Sequence, residues 1–170
     1  GYVLLPNDLK LIEGAAEAVE KLNQAGLNVA LVTNQSPVGR GIITETELEA
    51  IHISLKEKLA ASGAHLDRLY VCTDPPDQPT PRRKPGPGML IEAMADFDVS
   101  PEETLMIGDD LRDLQAAMAA GCRAMLVRTG KGQKVSEVLQ DDPDLADLPV
   151  AADLAVAVEL ILKQGDVHAA

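Results

Sequence analysis

The strongest constraint in this chain is a repeated alternation. Short apolar runs at residues 28–33, 68–72, 104–107 and 124–127 are each followed by a polar loop and then by an apolar pattern of helical period. Runs this short and this continuous are expected of parallel strands covered on both faces, with helices as the crossovers. The expected architecture is an α/β domain, a Rossmann-like three-layer arrangement around a parallel sheet, with no large inserted cap because the joins are short. With 170 residues and no linker or repeat, one domain over residues 1–170 is expected.

Local signals place the helices. Ala18, Val19 and Leu22 share a face ahead of Gly26, which predicts a helix over residues 14–25. Thr44 and Glu47 form a capping box before Leu48, Ile51, Leu55 and Leu59. Residues 87–97 and the stretch from Leu111 to Gly121 read as two more helices, and Asp153 caps a last one. Ser100, Pro101 and Glu103 resemble a second capping box, with room for a single turn before the next strand. Residues 33–41 are rich in turn formers and read as a loop. Six of the eleven prolines fall between Pro75 and Pro87, so residues 73–86 form a long shaped loop.

Composition narrows the function. The formal net charge is −12, and the aromatics are Tyr2, Tyr70 and Phe97 alone, which argues against nucleic acid as a partner. No apolar run approaches the roughly 20 residues needed to span a bilayer, so no membrane partner is expected. Cys72 and Cys122, without a C-x-x-C spacing, fit a reducing compartment and a cytoplasmic location.

In a parallel α/β sheet, ligands sit beyond the carboxyl ends of the strands. Those loops hold Thr33, Asn34, Gln35, Ser36 and Arg40, then Arg82, Arg83 and Lys84, then Asp109, Asp110 and Asp113, then Arg128 and Lys131. Six of the fifteen Lys and Arg residues thus gather at one sheet edge of an acidic chain, which suits a small anion such as phosphate. Asp109 and Asp113 could hold magnesium, a hard cation that pairs with substrate phosphate. Each element also has a plainer reading: Thr33 and Asn34 shaping a turn, Asp109 or Asp110 as a helix N-cap, residues 82–84 as a solvated basic run, and Cys72 as a buried strand residue. Their co-location favours chemistry, and hydroxyl, lysine, carboxylates and metal together point to phosphoryl transfer.

The succession VTNQS, VGRG, YVC, RRKPGPGML, MIGDDLRD and LVRTGKG resembles the haloacid dehalogenase superfamily. Within it, the pattern is similar to the heptose 1,7-bisphosphate phosphatases related to the histidinol-phosphate phosphatase domain. The resemblance implies a magnesium-dependent phosphatase acting on a small phosphorylated sugar or metabolite through an aspartyl-phosphate. A histidinol-phosphate phosphatase, or a phosphate-binding module without a nucleophile, is the alternative. It implies that Thr33 and Lys84 contact the transferring phosphoryl group and that Asp109 holds magnesium, while Asn34, Gln35, Ser36, Arg40 and Arg83 contact substrate.

Three departures from the family pattern carry consequences. The family's Asp-x-Asp-Gly motif, which supplies the nucleophile and general acid from a mid-sheet first strand, is absent from this sequence. The domain is therefore expected to be incomplete at its N-terminus. The expected result is a slot between strands with unpaired backbone groups, and a chain that does not fold stably alone. The family's zinc loop keeps only Cys72, the other ligand positions reading Asp74, Thr80 and Arg82, so zinc is not expected. Finally, Asp110 and Pro37 stand where a basic residue and a glycine are common.

Overall fold

The computed structural model describes residues 2–164. Helix α1 (Ala15–Gln24) buries Ala16, Ala18, Val19 and Leu22 and is followed by strand β1 (Ala30–Asn34). Helix α3 (Glu45–Ala60) starts where the capping box requires. Glu47 N donates to Thr44 Oγ1 at 3.1 Å, and Thr44 N donates to Glu47 Oε2 at 2.7 Å. Strand β2 (Arg68–Cys72) leads through the proline-rich loop into α4 (Gly88–Phe97). A single 3₁₀ turn at Pro101–Glu103 precedes β3 (Leu105–Gly108), as the second capping box predicts. Helix α5 (Leu111–Ala120) closes on Gly121 in the left-handed conformation, then β4 (Arg123–Val127) follows. The last elements are α6 (Gly132–Leu139), β5 (Val150–Ala151) and α7 (Leu154–Gln164), where Val156 N donates to Asp153 Oδ1 at 2.9 Å.

One sequence reading needs correction. Residues 33–41 are not all loop, because Ser36–Gly39 form a short helix, α2, with Pro37 in its first turn. Proline's fixed φ suits that position and its missing N–H costs nothing there. The strands fall into two parallel sheets, in keeping with the expected slot. β1 pairs only with β2, in parallel register from Ala30 opposite Arg68 to Asn34 opposite Cys72. β3, β4 and β5 form a separate parallel sheet, with Leu105 opposite Arg123 and Leu126 opposite Val150. Among the described residues, β1 and β3 thus each keep one unpaired edge.

Helices on the faces hold the two sheets together. Ala18 and Leu22 of α1 and Val158 of α7 form one buried cluster, so the helix that precedes the first sheet packs on the helix that follows the second. Val32 of β1 packs against the cluster of Leu90, Met106, Leu114 and Leu126, which joins α4, β3, α5 and β4. The core is aliphatic, and Leu114, Leu126, Val158 and Met89 are its largest fully buried side chains. Tyr70 is the buried aromatic. Its hydroxyl donates to Asp96 Oδ2 at 2.8 Å, and burial together with that carboxylate pushes its pKa up to about 12.

The loop from Thr73 to Pro87 is held by charge and hydrogen bonds. Asp74 Oδ2 accepts from Thr80 N at 2.8 Å and from Thr80 Oγ1 at 2.6 Å. Arg82 pairs with both oxygens of Glu92 on α4 (2.7 and 3.0 Å) and donates to the Val71 carbonyl of β2 (2.9 Å). A guanidinium gripped in this fork at once ties the loop to a helix and a strand.

Three outcomes follow from this structure. Leu114→Ala empties a fully buried position at the junction of both sheets and should cost about 2–5 kcal/mol in urea denaturation. Glu92→Ala should cost about 1 kcal/mol, since the pair is nearly half exposed. Chelation with EDTA should leave the melting temperature of the parent protein unchanged, as measured by circular dichroism.

Candidate active site

The carboxyl ends of β1 and β3 deliver the site. Thr33 and Asn34 are the last residues of β1, while Asp109 and Asp110 lie between β3 and α5. Lys84, from the proline-rich loop, stands between the two sheets. Its ammonium donates to the Val32 carbonyl at 2.8 Å and to Asp113 Oδ1 at 2.5 Å. The Val32 carbonyl is free to accept because alternate residues of a parallel strand turn to opposite neighbours. The carbonyl of Val29 and the N–H of Gln35 turn to the β2 side, so Val32 turns to the open edge. The lysine and aspartate side chains are only 11% and 8% exposed, so this is a buried ion pair.

Asp113 is committed on both oxygens, since its Oδ2 accepts from Asp110 N at 3.1 Å. The structure therefore brings this residue, expected as a magnesium ligand, to the lysine. Gly108 makes the approach possible, because a Cβ there would overlap the Asp113 carboxylate. Asp109 differs from both neighbouring carboxylates: Lys131 N donates to its Oδ2 at 2.9 Å, and among the described residues no cationic side chain pairs with it. Gly130, at φ +59°, gives it room, since a Cβ there would collide with its carboxylate. One carboxylate, joined by substrate phosphate oxygens and water, meets what magnesium asks of a protein. Among the described residues, no group of three His, Cys, Asp or Glu side chains could cage a metal.

Asp110 serves as the N-cap of α5, as one sequence reading allowed, and accepts from Arg112 N at 3.0 Å. Its carboxylate also accepts from Arg112 Nε (3.0 Å), Arg112 Nη2 (2.8 Å) and Lys131 Nζ (2.7 Å). The Arg112 hydrogen bonds, followed by Lys131, hold it well below the usual carboxylate range. Positive charge at this corner therefore comes from Arg112 and Lys131, flanking an acid.

The predicted substrate residues divide. Thr33 Oγ1 accepts from Gln35 Nε2 at 3.1 Å, while its own proton has only a long 3.5 Å contact to the Asn34 carbonyl. That hydroxyl can donate to an incoming oxygen. Ser36 is buried in the first turn of α2, and Arg40 reaches the Tyr2 hydroxyl at 3.4 Å. Arg83 donates to the Asp74 carbonyl at 2.8 Å. Asn34 makes both its side-chain bonds to the Lys84 backbone. Of the six cations expected at this edge, Arg82 is spent on Glu92, and Arg128 lines a separate cavity with Ser136 and Gln140. Sequence reasoning missed Tyr2 and Arg112. Hydrogen bonding to Ser36, then to Arg40, with the charges of Arg40 and Arg83, lowers the Tyr2 phenol. Arg112 lies within electrostatic reach of the same phenol.

Comparison with known proteins agrees with this arrangement. Residues 81–157 match the HAD-hydrolase-like family model. The D-glycero-beta-D-manno-heptose-1,7-bisphosphate 7-phosphatase of Bordetella bronchiseptica is 39% identical over 133 residues, covering 78% of this chain and 74% of that protein. The corresponding D-glycero-D-manno-heptose-1,7-bisphosphate 7-phosphatase of Thermosynechococcus vestitus is 39% identical, over 95% of this chain and 87% of that protein. The crystal structure of D,D-heptose 1,7-bisphosphate phosphatase from B. bronchiseptica, complexed with magnesium and phosphate, superposes with a TM-score of 0.88 at 36% identity. It covers 96% of this chain and 89% of that one. With a sheet edge, a buried lysine and a free carboxylate in these positions, and relatives matched over most of both lengths, the chain belongs to the HAD-like phosphatase family.

Proposed function

We propose that this protein is a magnesium-dependent phosphatase that hydrolyses a phosphomonoester of D-glycero-D-manno-heptose 1,7-bisphosphate. The observation that carries the reading is the buried Lys84 ammonium, which links the Val32 carbonyl, next to Thr33, to Asp113, four residues beyond Asp109. The relatives' activity on a heptose bisphosphate supports the substrate class. The buried free thiols Cys72 and Cys122 support a cytoplasmic setting, and no described helix is long and apolar enough to cross a membrane.

Phosphoryl transfer asks chiefly for positioning and for charge placed where the transferring group becomes most anionic. Lys84 supplies a fixed ammonium, and Thr33 a hydroxyl proton for a phosphoryl oxygen. Asp109 is the carboxylate that would hold magnesium, which neutralises phosphate charge when bound. Arg40, which reaches the Tyr2 hydroxyl, would hold the sugar and its second phosphate together with Arg83. The family's nucleophilic carboxylate has its place beside Lys84, in the space between β1 and β3, where a further strand would take up the unpaired backbone groups of both edges.

Three expected outcomes test the reading in the full-length gene product. Asp109→Asn should abolish magnesium-dependent phosphate release from heptose 1,7-bisphosphate, and normal turnover by that variant would sink the assignment. Lys84→Met should lower kcat by about 100-fold or more and also destabilise by about 3 kcal/mol, because it leaves the Asp113 carboxylate buried without its cation. Adding Asp113→Asn should restore the melting temperature but not turnover, which separates the structural from the catalytic use of the charge. Histidinol phosphate should be the poorer substrate in the same phosphate-release assay.

A further inference from the structure

We infer that Asn34 is the positioning residue of Lys84, acting on its backbone rather than on substrate. The inference rests on the reading of Lys84 as the phosphoryl-stabilising cation. Lys84 sits in a loop with no regular secondary structure and precedes Pro85, so neither a helix nor a strand ladder holds its peptide groups. One carboxamide does so instead. Asn34 Nδ2 donates to the Lys84 carbonyl at 3.0 Å, and Lys84 N donates to Asn34 Oδ1 at 3.1 Å. This pair of bonds imitates one rung of a sheet, made by a side chain across a sequence separation of 50 residues.

The chemistry selects the residue. Both a donor and an acceptor are needed, side by side on a short stem, and only asparagine supplies them at this reach. Aspartate keeps the acceptor and loses the donor, glutamine adds a methylene, and alanine removes both. Asn34 is the last residue of β1, two positions beyond Val32, whose carbonyl receives the Lys84 ammonium. The same strand end therefore anchors the lysine at its backbone and at its tip, while Asp113 holds the tip from the first turn of α5. Four hydrogen bonds, two at the backbone to Asn34 and two at the ammonium to β1 and α5, fix this one residue. A carboxamide spent in this way has its carbonyl and one N–H already engaged, which sets it apart from a ligand-facing group such as the Thr33 hydroxyl.

The test is a double-mutant cycle in the full-length protein, assayed by phosphate release from heptose 1,7-bisphosphate with magnesium. Asn34→Ala alone should lower kcat by about 10–100-fold, the scale of a sub-ångström to 1 Å misplacement, with KM changed by less than about threefold. In the Lys84→Met/Asp113→Asn background, the same Asn34→Ala change should alter the remaining turnover by less than about twofold, because a residue acting through Lys84 has nothing left to position. Asn34→Asp, which keeps the acceptor for Lys84 N, should lie between wild type and Asn34→Ala. It also takes the place of Asn34→Ala in the cycle should the alanine variant not fold. A rise in KM of tenfold or more with kcat intact would make Asn34 a substrate contact, and an equal loss of kcat in both backgrounds would make it merely structural. Either result overturns the inference. Full activity of Lys84→Met would instead overturn the reading on which it rests, and if the Lys84→Met/Asp113→Asn background does not fold, the kcat-against-KM split decides alone.

Discussion

The ammonium of Lys84 is the point on which the two sheets meet. It is bonded at once to a carbonyl on the open edge of β1 and to a carboxylate in the first turn of α5, so removing it would unsettle both. A buried ion pair contributes little net stability against the cost of desolvating both charges. Its retention beside a largely apolar core is better explained by geometry: it fixes where one positive charge lies relative to Thr33 and Asp109. Gly108 and the capping bond from Asp110 N exist around that pair, each shaped to let the Asp113 carboxylate face the lysine.

Charge in the rest of the site follows the same economy. A chain with net charge −12 repels phosphate over most of its surface, so an anion must be drawn to one corner. At that corner the acidic residues are not free. Asp110 is covered by Arg112 and Lys131, and Asp113 by Lys84, leaving Asp109 as the carboxylate without a cationic side chain at its oxygens. The family pattern places a base where this chain has Asp110. Here the acid aligns Arg112 in a two-pronged grip, moving the positive charge two residues along α5 while keeping it near the Tyr2 hydroxyl. The corner stays cationic although one position has changed sign.

Much of this was readable in the chain because it depends on local rules. Thr44 with Glu47, Ser100 with Glu103, Gly121 after α5 and Asp153 before α7 are capping devices whose bonds span a few residues, and the structure shows helices where they stand. Strand β2 ends where its apolar run ends. What escaped reading depends on distance. The two-residue β5 is too short to carry a period, and α2 hides among turn formers because Pro37 suits a first helical turn as well as a loop. The site divides in the same way. Thr33, Lys84 and Asp109 stand at the end of β1 and in the segments that follow β2 and β3, where the alternation of runs and loops puts them. The partners chosen by Asn34 and Asp113 could not be read in this way, since both choose Lys84, which lies 50 and 29 residues away.

The proline-rich loop shows how a position can change chemistry while its task is kept. Where the family pattern has zinc ligands, this chain has an aspartate closed on Thr80 and an arginine locked between Glu92 and the Val71 carbonyl. A metal would cross-link the loop to itself, whereas Arg82 cross-links it outward, to α4 and β2. Two residues further on, the carboxamide of Asn34 fastens Lys84 to β1. The segment between these anchors is the tripeptide Arg82-Arg83-Lys84, held at both ends by regular elements, which leaves little freedom for the lysine that it carries. An arginine clamp and an asparagine rung can thus do together what a metal-bound loop does: deliver one ammonium to a fixed place between two strands.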